Sequence, residues 1–282
     1  MDEFTAELRA RAFVKKVAPT AVPVSLEPYL SEVQAKLRID LELPPKEAGY
    51  TMSPGGRHRI VVNGNDPMAR QRFTACHEIA HLALDLPTEH DGATSGFARR
   101  SANELACDVF AAELLLPLGL FRPLTINRDP SLEVIESLAT TFQASLSATA
   151  SRFVALSNWA CALVVAEHGK ISYVVRSPSL RGLNAWVTIG SHLPPNSRAH
   201  QVRQQARTNG SSELDADVWF ENLAGSELSE DVRHFAARDR TLALLWLSED
   251  EMLDARRTVE NERVEPDLGL RELDGILPWP KK

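Results

Sequence analysis

The sequence has few aromatic residues, few cysteines and no long apolar run. Aromatic residues make up 6% of its 282 residues, and Cys76, Cys107 and Cys161 are too few and too scattered for a disulfide framework. No apolar stretch approaches the roughly 20 residues of a membrane span, and the N-terminus lacks the apolar core of a signal peptide. A net charge of −7 disfavours a nucleic-acid partner. These absences predict a cytoplasmic protein with no membrane partner.

The first half of the chain is predicted to be mainly helical. Phe4, Leu8, Ala12 and Val17 recur at roughly helical spacing and predict an amphipathic helix within residues 1–20. Asp66 is expected to be the N-cap of a later helix, with Pro67 at its first position. The other predicted elements of this half are helices at 27–39, 67–85, 102–116, 131–141 and 145–157, and strands at 49–52 and 59–62 joined by a turn at 53–56.

The second half changes to an alternating β pattern, which predicts a boundary near residues 158–160. Residues 194–216 are polar and are expected to form a loop, and residues 254–282 are a charge-rich tail. Strands are predicted at 161–166, 171–175, 185–189, 217–221 and 242–247. The whole chain is therefore expected to be an α+β protein.

The segment from His77 to His81 reads H-E-x-x-H and lies within a predicted helix. Histidines four residues apart share one helix face, so both imidazoles can bind a single cation. Glu78 projects about 100° away from His77, where it can polarise a bound water. The alternative interpretation is a surface glutamate between two core histidines. We favour the metal site, because the motif lies in a capped helix with apolar flanks.

A zinc site with two histidines needs a third protein ligand, and the next predicted helix offers two carboxylates. Glu104 and Asp108 are four residues apart and share a face, so one could bind the metal while the other accepts a hydrogen bond from a ligand histidine. Glu113 is a rival ligand, less favoured because it lies about 180° round the helix from Glu104. Asp85 and His90 are weaker candidates, at a helix end and in a predicted loop.

Two segments carry a resemblance to a known family. The segment 70–81 reads RQRFTACHEIAH and the segment 104–117 reads ELACDVFAAELLLP. Together they resemble the ImmA/IrrE family of metallo-endopeptidases, and with their flanks they cover residues 25–157. The departures at Cys76, Cys107 and Leu116 touch no ligand. The two cysteines are expected to be small core residues, with a redox-sensitive thiol as the alternative.

The resemblance implies a domain organisation and a set of site residues. Residues 1–125 would form a zincin-like metallopeptidase core, 126–158 a helix-turn-helix-like segment and 159–253 a C-terminal α/β domain, which is GAF-like in longer members of the family. It also implies His77, His81 and Glu104 as metal ligands, Glu78 as the catalytic base and Asp108 as the acid that orients a ligand histidine.

The implied activity is metal-dependent hydrolysis of a peptide bond. Zn²⁺ suits two histidines and a carboxylate, and Mn²⁺ or Fe²⁺ accept the same set. A substrate segment is expected to pair with the strand at 59–62. Tyr50 is a candidate for stabilising the oxyanion, since few hydroxyl-bearing aromatic residues precede the motif. The resemblance implies a helix-turn-helix repressor or antitoxin as the substrate, in a stress or mobile-element response.

Three other functions stay open at this point. The fold could be a non-catalytic sensor or binding module with a structural metal. Residues 131–157 could bind DNA directly, although Arg152 is their only basic residue beside Glu133 and Glu136, so no direct DNA binding is expected. The C-terminal half could hold the peptidase site inactive until a ligand binds. The sequence leaves the oligomeric state undetermined.

Overall fold

A computed structural model describes residues 1–87, 101–126 and 128–263 of the chain. It is a mixed α+β structure with two sheets. Among the described residues, no helix combines the length and the apolar character needed to cross a membrane. The elements of the first half are α1 (Glu3–Val17), α2 (Glu27–Glu32), β1 (Ala35–Asp40), β2 (Gly49–Met52), β3 (His58–Asn63), α3 (Met68–Leu84), α4 (Ala102–Leu115), α5 (Leu118–Phe121), α6 (Leu132–Phe142) and α7 (Leu146–Leu156).

The second half contains most of the strands. Its elements are β4 (Cys161–Glu167), β5 (Lys170–Arg176), α8 (Pro178–Gly182), α9 (Arg198–Gln204), β6 (Asn209–Asp215), β7 (Glu227–Phe235), β8 (Arg240–Leu247) and α10 (Glu249–Arg263). The strands form an antiparallel sheet in the order β5-β4-β8-β7-β6. Of the predicted tail at 254–282, the part up to Arg263 therefore continues α10, and the remainder lies outside the described residues.

The small sheet of the first half has β3 at its centre. It is parallel to β1 and antiparallel to β2, and the predicted turn at 53–56 joins β2 to β3 as expected. Asn63, at the end of β3, is buried and donates through Nδ2 to the carbonyl oxygens of Pro44 and Glu47, at 3.0 and 2.9 Å. These bonds fix the loop that leads into β2. The sheet packs against α3 and so supports the H-E-x-x-H helix.

Two predictions for the N-terminal region are wrong. The helix predicted at 27–39 ends at Glu32, because Gln34 takes a left-handed backbone conformation (φ 52°) and the chain continues as β1. In α1 the predicted apolar face is not the buried one. Phe4 and Leu8 are exposed, whereas Ala6 and Ala10 are fully buried. The small alanine side chains let α1 lie close against α4.

The start of α3 differs from the prediction by one residue. Pro67, expected at the first helical position, is the N-cap, and α3 begins at Met68. The Asp66 side chain, expected to cap the helix, instead forms an ion pair with Arg70 at 3.1 Å. Helix boundaries of this kind depend on cap geometry, which residue type alone does not determine.

The middle of the second half was also predicted wrongly. Residues 185–189 are not a strand, although they are apolar, and Trp186 and Ile189 are exposed. Residues 217–221 contain part of a short 3-10 helix, Ala216–Val218. The predicted loop at 194–216 contains α9 and β6, and β7 was not predicted at all. Both missed strands are polar in sequence, because β6 lies at the sheet edge and β7 alternates buried and half-exposed residues.

The hydrophobic core runs across the predicted boundary at 158–160. Leu163 and Val165 of β4 and Leu244 of β8 belong to the same buried cluster as the interiors of α3, α4, α6 and α7. The alternate residues of β4, such as Val164, face a second cluster beneath α8 and α9. The large sheet is therefore covered on both faces. Polar contacts reinforce the junction, since Asp231 of β7 accepts a hydrogen bond from the N–H of Leu132 at 2.7 Å.

Candidate metal centre

Helix α3 carries His77, Glu78 and His81, and its position is fixed by contacts along its length. Its inner face is buried against β3 and α4, with Cys76, Ile79 and Ala80 inaccessible to solvent. Near its start, Arg72 donates to the carbonyl oxygen of Val24 at 2.7 Å. Arg72 thus anchors the start of α3 to the preceding loop.

Helix α4 lies beside α3 and brings Glu104 to the two histidines. Its N-cap, Ser101, accepts a hydrogen bond from the N–H of Glu104, which places this carboxylate in the first turn. The Nε2 atoms of His77 and His81 are 3.1 Å apart. The Glu104 carboxylate lies 3.0 Å from His77 Nε2 and 3.3 Å from His81 Nε2. Two imidazole nitrogens and one carboxylate, from two helices, therefore converge on one point.

The separations between these donor atoms fit a metal ion. Zinc with bonds of about 2.0–2.1 Å in a tetrahedral site holds its ligand atoms about 3.3 Å apart. Two imidazole nitrogens that face each other also need a shared proton or a cation between them, because their lone pairs repel. The His77, His81 and Glu104 side chains can therefore hold a divalent cation, and the set of two nitrogens and one carboxylate suits zinc.

Asp108 lies one turn beyond Glu104 and contacts the other side of His77. Its Oδ1 is 3.0 Å from His77 Nδ1, so the carboxylate accepts the Nδ1 proton and leaves Nε2 free to bind a cation. Burial alone lowers the pKa of His77, but the hydrogen bonds and charges of Asp108 and Glu104 raise it to about 9. Before a metal binds, His77 is therefore protonated at neutral pH, and a metal ion must displace that proton.

Glu78 is buried, and Thr51 is its hydrogen-bond partner among the described residues. Its Oε2 accepts a hydrogen bond from Thr51 Oγ1 of β2 at 2.7 Å. Two residues earlier, Gly49 faces Thr74 of α3, and a Cβ atom added at Gly49 would lie 2.7 Å from Thr74 Cγ2 and 2.5 Å from the Val61 oxygen. The absence of a side chain at Gly49 thus lets β2 approach α3 closely enough for Thr51 to reach Glu78.

The sequence predictions missed Thr51. Alternate residues of a strand share a face, so Gly49 and Thr51 lie on the same face of β2. They contact Thr74 and Glu78, which are one helical turn apart on α3. Only the register of β2 against α3, which the sequence does not reveal, shows that this threonine contacts the glutamate. By the same alternation, Tyr50 lies on the face of β2 that points away from α3. The role of Tyr50 in stabilising the oxyanion stays a prediction.

Among the described residues, Asp85 and Glu113 do not lie with the cluster. Asp85 is the left-handed C-cap of α3, and His90 lies outside the described residues. Glu113 is 2% exposed and is engaged elsewhere, since it pairs with Arg152 of α7 and accepts a hydrogen bond from the N–H of Leu118 at 3.0 Å. The carboxylate of Glu113 therefore links α4 to α7.

Cys76 and Cys107 are both fully buried. Burial raises the pKa of each thiol to about 12, with nearby acidic groups adding to the effect for Cys107. Thiols with such a high pKa are protonated at neutral pH and react slowly with oxidants. The two cysteines therefore behave as small core residues.

The prediction that a substrate pairs with residues 59–62 is wrong. These residues belong to β3, whose two edges are already occupied by β1 and β2. The strand that lies beside Glu78 and has an open edge among the described residues is β2.

Comparison with known proteins identifies the region that contains this site. Residues 36–154 match the family described as the IrrE N-terminal-like domain, a peptidase family. This segment is similar to an IrrE N-terminal-like domain. The chain is also similar to the "Radiation response metalloprotease IrrE" of Deinococcus deserti, with 33% identity over 100 residues. That match covers 34% of the chain and 35% of the relative, so it spans about a third of each protein.

A solved structure extends the likeness beyond this domain. The chain resembles a Mycobacterium tuberculosis transcriptional regulator with a TM-score of 0.60, over 86% of the chain and 76% of the regulator. The sequence identity is 13%, so the likeness concerns the fold alone. The coverage shows that most of the fold of this chain occurs in another protein.

Proposed function

We propose that the chain is a metal-dependent endopeptidase. The observation that carries the proposal is the convergence of His77, His81 and Glu104 beside a glutamate that a neighbouring strand holds in place. The family match supports a metallopeptidase, and the residues at the site match the ligand set expected for one. Zn²⁺ is the proposed cofactor, and Mn²⁺ or Fe²⁺ suit the same donors.

The metal would supply Lewis acidity, which polarises a peptide carbonyl and lowers the pKa of a water molecule to about 7. Glu78 then acts as general base, taking a proton from the attacking water and delivering it to the nitrogen of the leaving amine. Thr51 occupies Oε2 of Glu78 and keeps the carboxylate in one orientation, which leaves Oε1 for the proton. Asp108 holds His77 in the tautomer that presents Nε2 to the metal.

The substrate is proposed to bind as an extended segment along β2. This strand lies at the edge of the small sheet and carries Thr51, so a peptide paired with it would run beside Glu78. Main-chain hydrogen bonds would supply affinity with little dependence on sequence. Selection of one target would then require further contacts outside the strand.

The proposed substrate is a helix-turn-helix repressor or antitoxin in the cytoplasm, cut in a stress or mobile-element response. The relative in Deinococcus deserti is named as a radiation response metalloprotease, which supports a stress role for this family domain. The chain's own helices α6 and α7 are poor DNA-binding elements, because Arg152 lies in a buried ion pair with Glu113. Regulation by cleavage of a DNA-binding partner suits such a chain better than direct DNA binding.

The test is cleavage of a proteome-derived peptide library by the full chain, with new N-termini identified by mass spectrometry. Zn²⁺, Mn²⁺ and Fe²⁺ are supplied in separate reactions. Glu78→Gln should abolish cleavage and keep the metal, whereas Glu104→Ala should lose the metal as well. Glu133→Gln, an exposed site on α6, is the matched control and should cleave normally. Metal binding without cleavage by the wild-type chain under all three conditions would favour the binding module instead.

A further inference from the structure

The two edge strands of the large sheet, β5 and β6, differ in the contacts along their outer sides. The first two residues of β5, Lys170 and Ile171, form main-chain contacts with residues 190–193, and a bulge at Val165/Ala166 interrupts the pairing of β5 with β4. The opposite edge, β6, pairs with β7 in continuous register along all seven residues. Within the described part of the chain, no strand pairs with the outer side of β6. A regular open edge of this kind is a template for another strand.

The hydrogen-bonding groups of β6 that point outward can be identified from its ends. His234 donates to the carbonyl of Thr208, and Ala216 donates to the carbonyl of Ser226, so the even-numbered residues face β7. Because main-chain groups alternate along an antiparallel strand, those of Asn209, Ser211 and Glu213 point away from the sheet. The side chains of these three residues are exposed as well.

The charges along this edge are separated by sign. Beside the first half of β6 lies a hollow of about 660 Å³ lined by Arg198 and Arg207. Beside the second half lies a hollow of about 290 Å³ lined by Glu213, Asp215 and Glu227. The charge of Glu213 raises the pKa of Glu227, which shows that these acids repel one another within a single chain. The acidic end of β6 therefore brings three carboxylates together, and the basic end carries two arginines.

We propose that β6 is the interface of a symmetric homodimer, in which the β6 strands of two copies pair antiparallel. An antiparallel pair related by a two-fold axis places the basic end of each strand against the acidic end of the other. A partner with uniform charge would meet repulsion at one end, so self-pairing satisfies this edge better than a uniformly charged peptide does. The result is a continuous sheet of ten strands, five from each copy.

The charges also select the register. If the two-fold axis passes beside Ser212, Ser211 of one copy pairs with Glu213 of the other, and Asn209 pairs with Asp215. The outward-pointing main-chain N–H and C=O groups of the two strands then face one another. Beyond Asp215 the chain turns into the 3-10 helix Ala216–Val218, so the exposed Arg207 of one copy lies at the same end of the paired strands as the exposed Asp217 of the other. Arg198 donates to the Ser211 carbonyl at 3.1 Å, and this oxygen keeps a second lone pair for the new strand.

The experiment is sedimentation equilibrium of the full chain at low salt, from about 1 to 100 μM, a range that brackets weak specific dimers. The wild type should form a dimer that weakens as salt is added. Ser211→Pro removes an outward N–H and leaves the β6–β7 ladder intact, so it should abolish the dimer. Arg9→Glu, an exposed charge reversal on α1, is the control and should leave the dimer unchanged.

Charge reversal keeps the proposal testable if the proline variant folds poorly. Arg207→Glu and Asp217→Arg should each weaken the dimer about tenfold, since each change acts twice across a two-fold axis. The double variant should recover wild-type affinity within about threefold. A monomer over the whole concentration range, or a dimer that neither Ser211→Pro nor the single reversals weaken, would overturn the proposal. None of these outcomes depends on peptidase activity.

Discussion

Replacing Glu113 by glutamine should destabilise the whole chain, because this buried carboxylate neutralises Arg152. The Glu113 and Arg152 side chains are 2% and 10% exposed. Arg152 also donates through Nε to the Leu116 carbonyl at 3.2 Å, so it is held in place and cannot turn to solvent. Removing one member of a buried ion pair typically costs 3–5 kcal/mol, since the other charge stays buried without a partner.

Two features of the structure place Glu113→Gln near the lower end of that range. Glutamine keeps a carbonyl that can accept the hydrogen bond from the N–H of Leu118. Glu7 lies 3.8 Å from Arg152 and is 32% exposed, so it retains part of the charge compensation. We therefore expect a loss of about 3 kcal/mol in the free energy of unfolding.

Urea unfolding followed by tryptophan fluorescence measures this loss. The exposed Glu133→Gln should change the free energy of unfolding by less than about 0.5 kcal/mol. The double variant Glu113→Leu with Arg152→Met removes both charges and should recover most of the stability. A Glu113→Gln variant as stable as Glu133→Gln would refute the reasoning. Metal content should stay the same in every folded variant, since Glu113 is not a ligand.

Three further predictions concern the metal centre. The pKa of His77 is raised from 6.5 to about 9 before a metal binds. The ion pairs of protonated His77 should therefore stabilise the metal-free chain fully below about pH 6.5, and this contribution should be lost as the pH rises through about 9. Metal affinity should correspondingly rise about tenfold per pH unit between about 7 and 9, and calorimetry in two buffers should detect about one released proton. Thr51→Val should lower kcat about tenfold or more with KM little changed, whereas Thr51→Ser should restore it; equal rates for the two variants would exclude a positioning role. Gly49→Ala should destabilise the chain by about 1–3 kcal/mol in thermal unfolding, because its Cβ would overlap the Val61 oxygen, and an unchanged melting temperature would contradict this close approach.

The helix that carries the site could be predicted because its signals are local. The spacing of His77 and His81 and the apolar residues around them determine one helix face, and the same spacing relates Glu104 to Asp108. The structure brings these side chains together as expected. The contact between Thr51 and Glu78 could not be predicted, since it depends on how β2 packs against α3.

The errors have a common physical origin in tertiary context. The segment at 27–39 has helical periodicity throughout, but Gln34 adopts a positive φ and the rest of the segment pairs with β3. In β7, Glu230 is fully buried because its carboxylate accepts hydrogen bonds from the N–H groups of Arg198 and Ala199 at the start of α9. From the sequence alone, a glutamate in a polar stretch predicts a loop, because the helix N–H groups that make its burial favourable are far away in the chain.

The burial of β4 on both faces has a consequence for any attempt to isolate the catalytic half. Leu163 and Val165 belong to the same buried cluster as residues of α6, α7 and the two helices that hold the metal ligands, and β4 packs against α7. A fragment that stops at residue 158 would leave that space open to water and would be prone to aggregate. Experiments on the proposed activity therefore need the full chain. Because the two halves share one apolar core, binding of a molecule to the large sheet could alter the geometry of the metal centre through packed side chains.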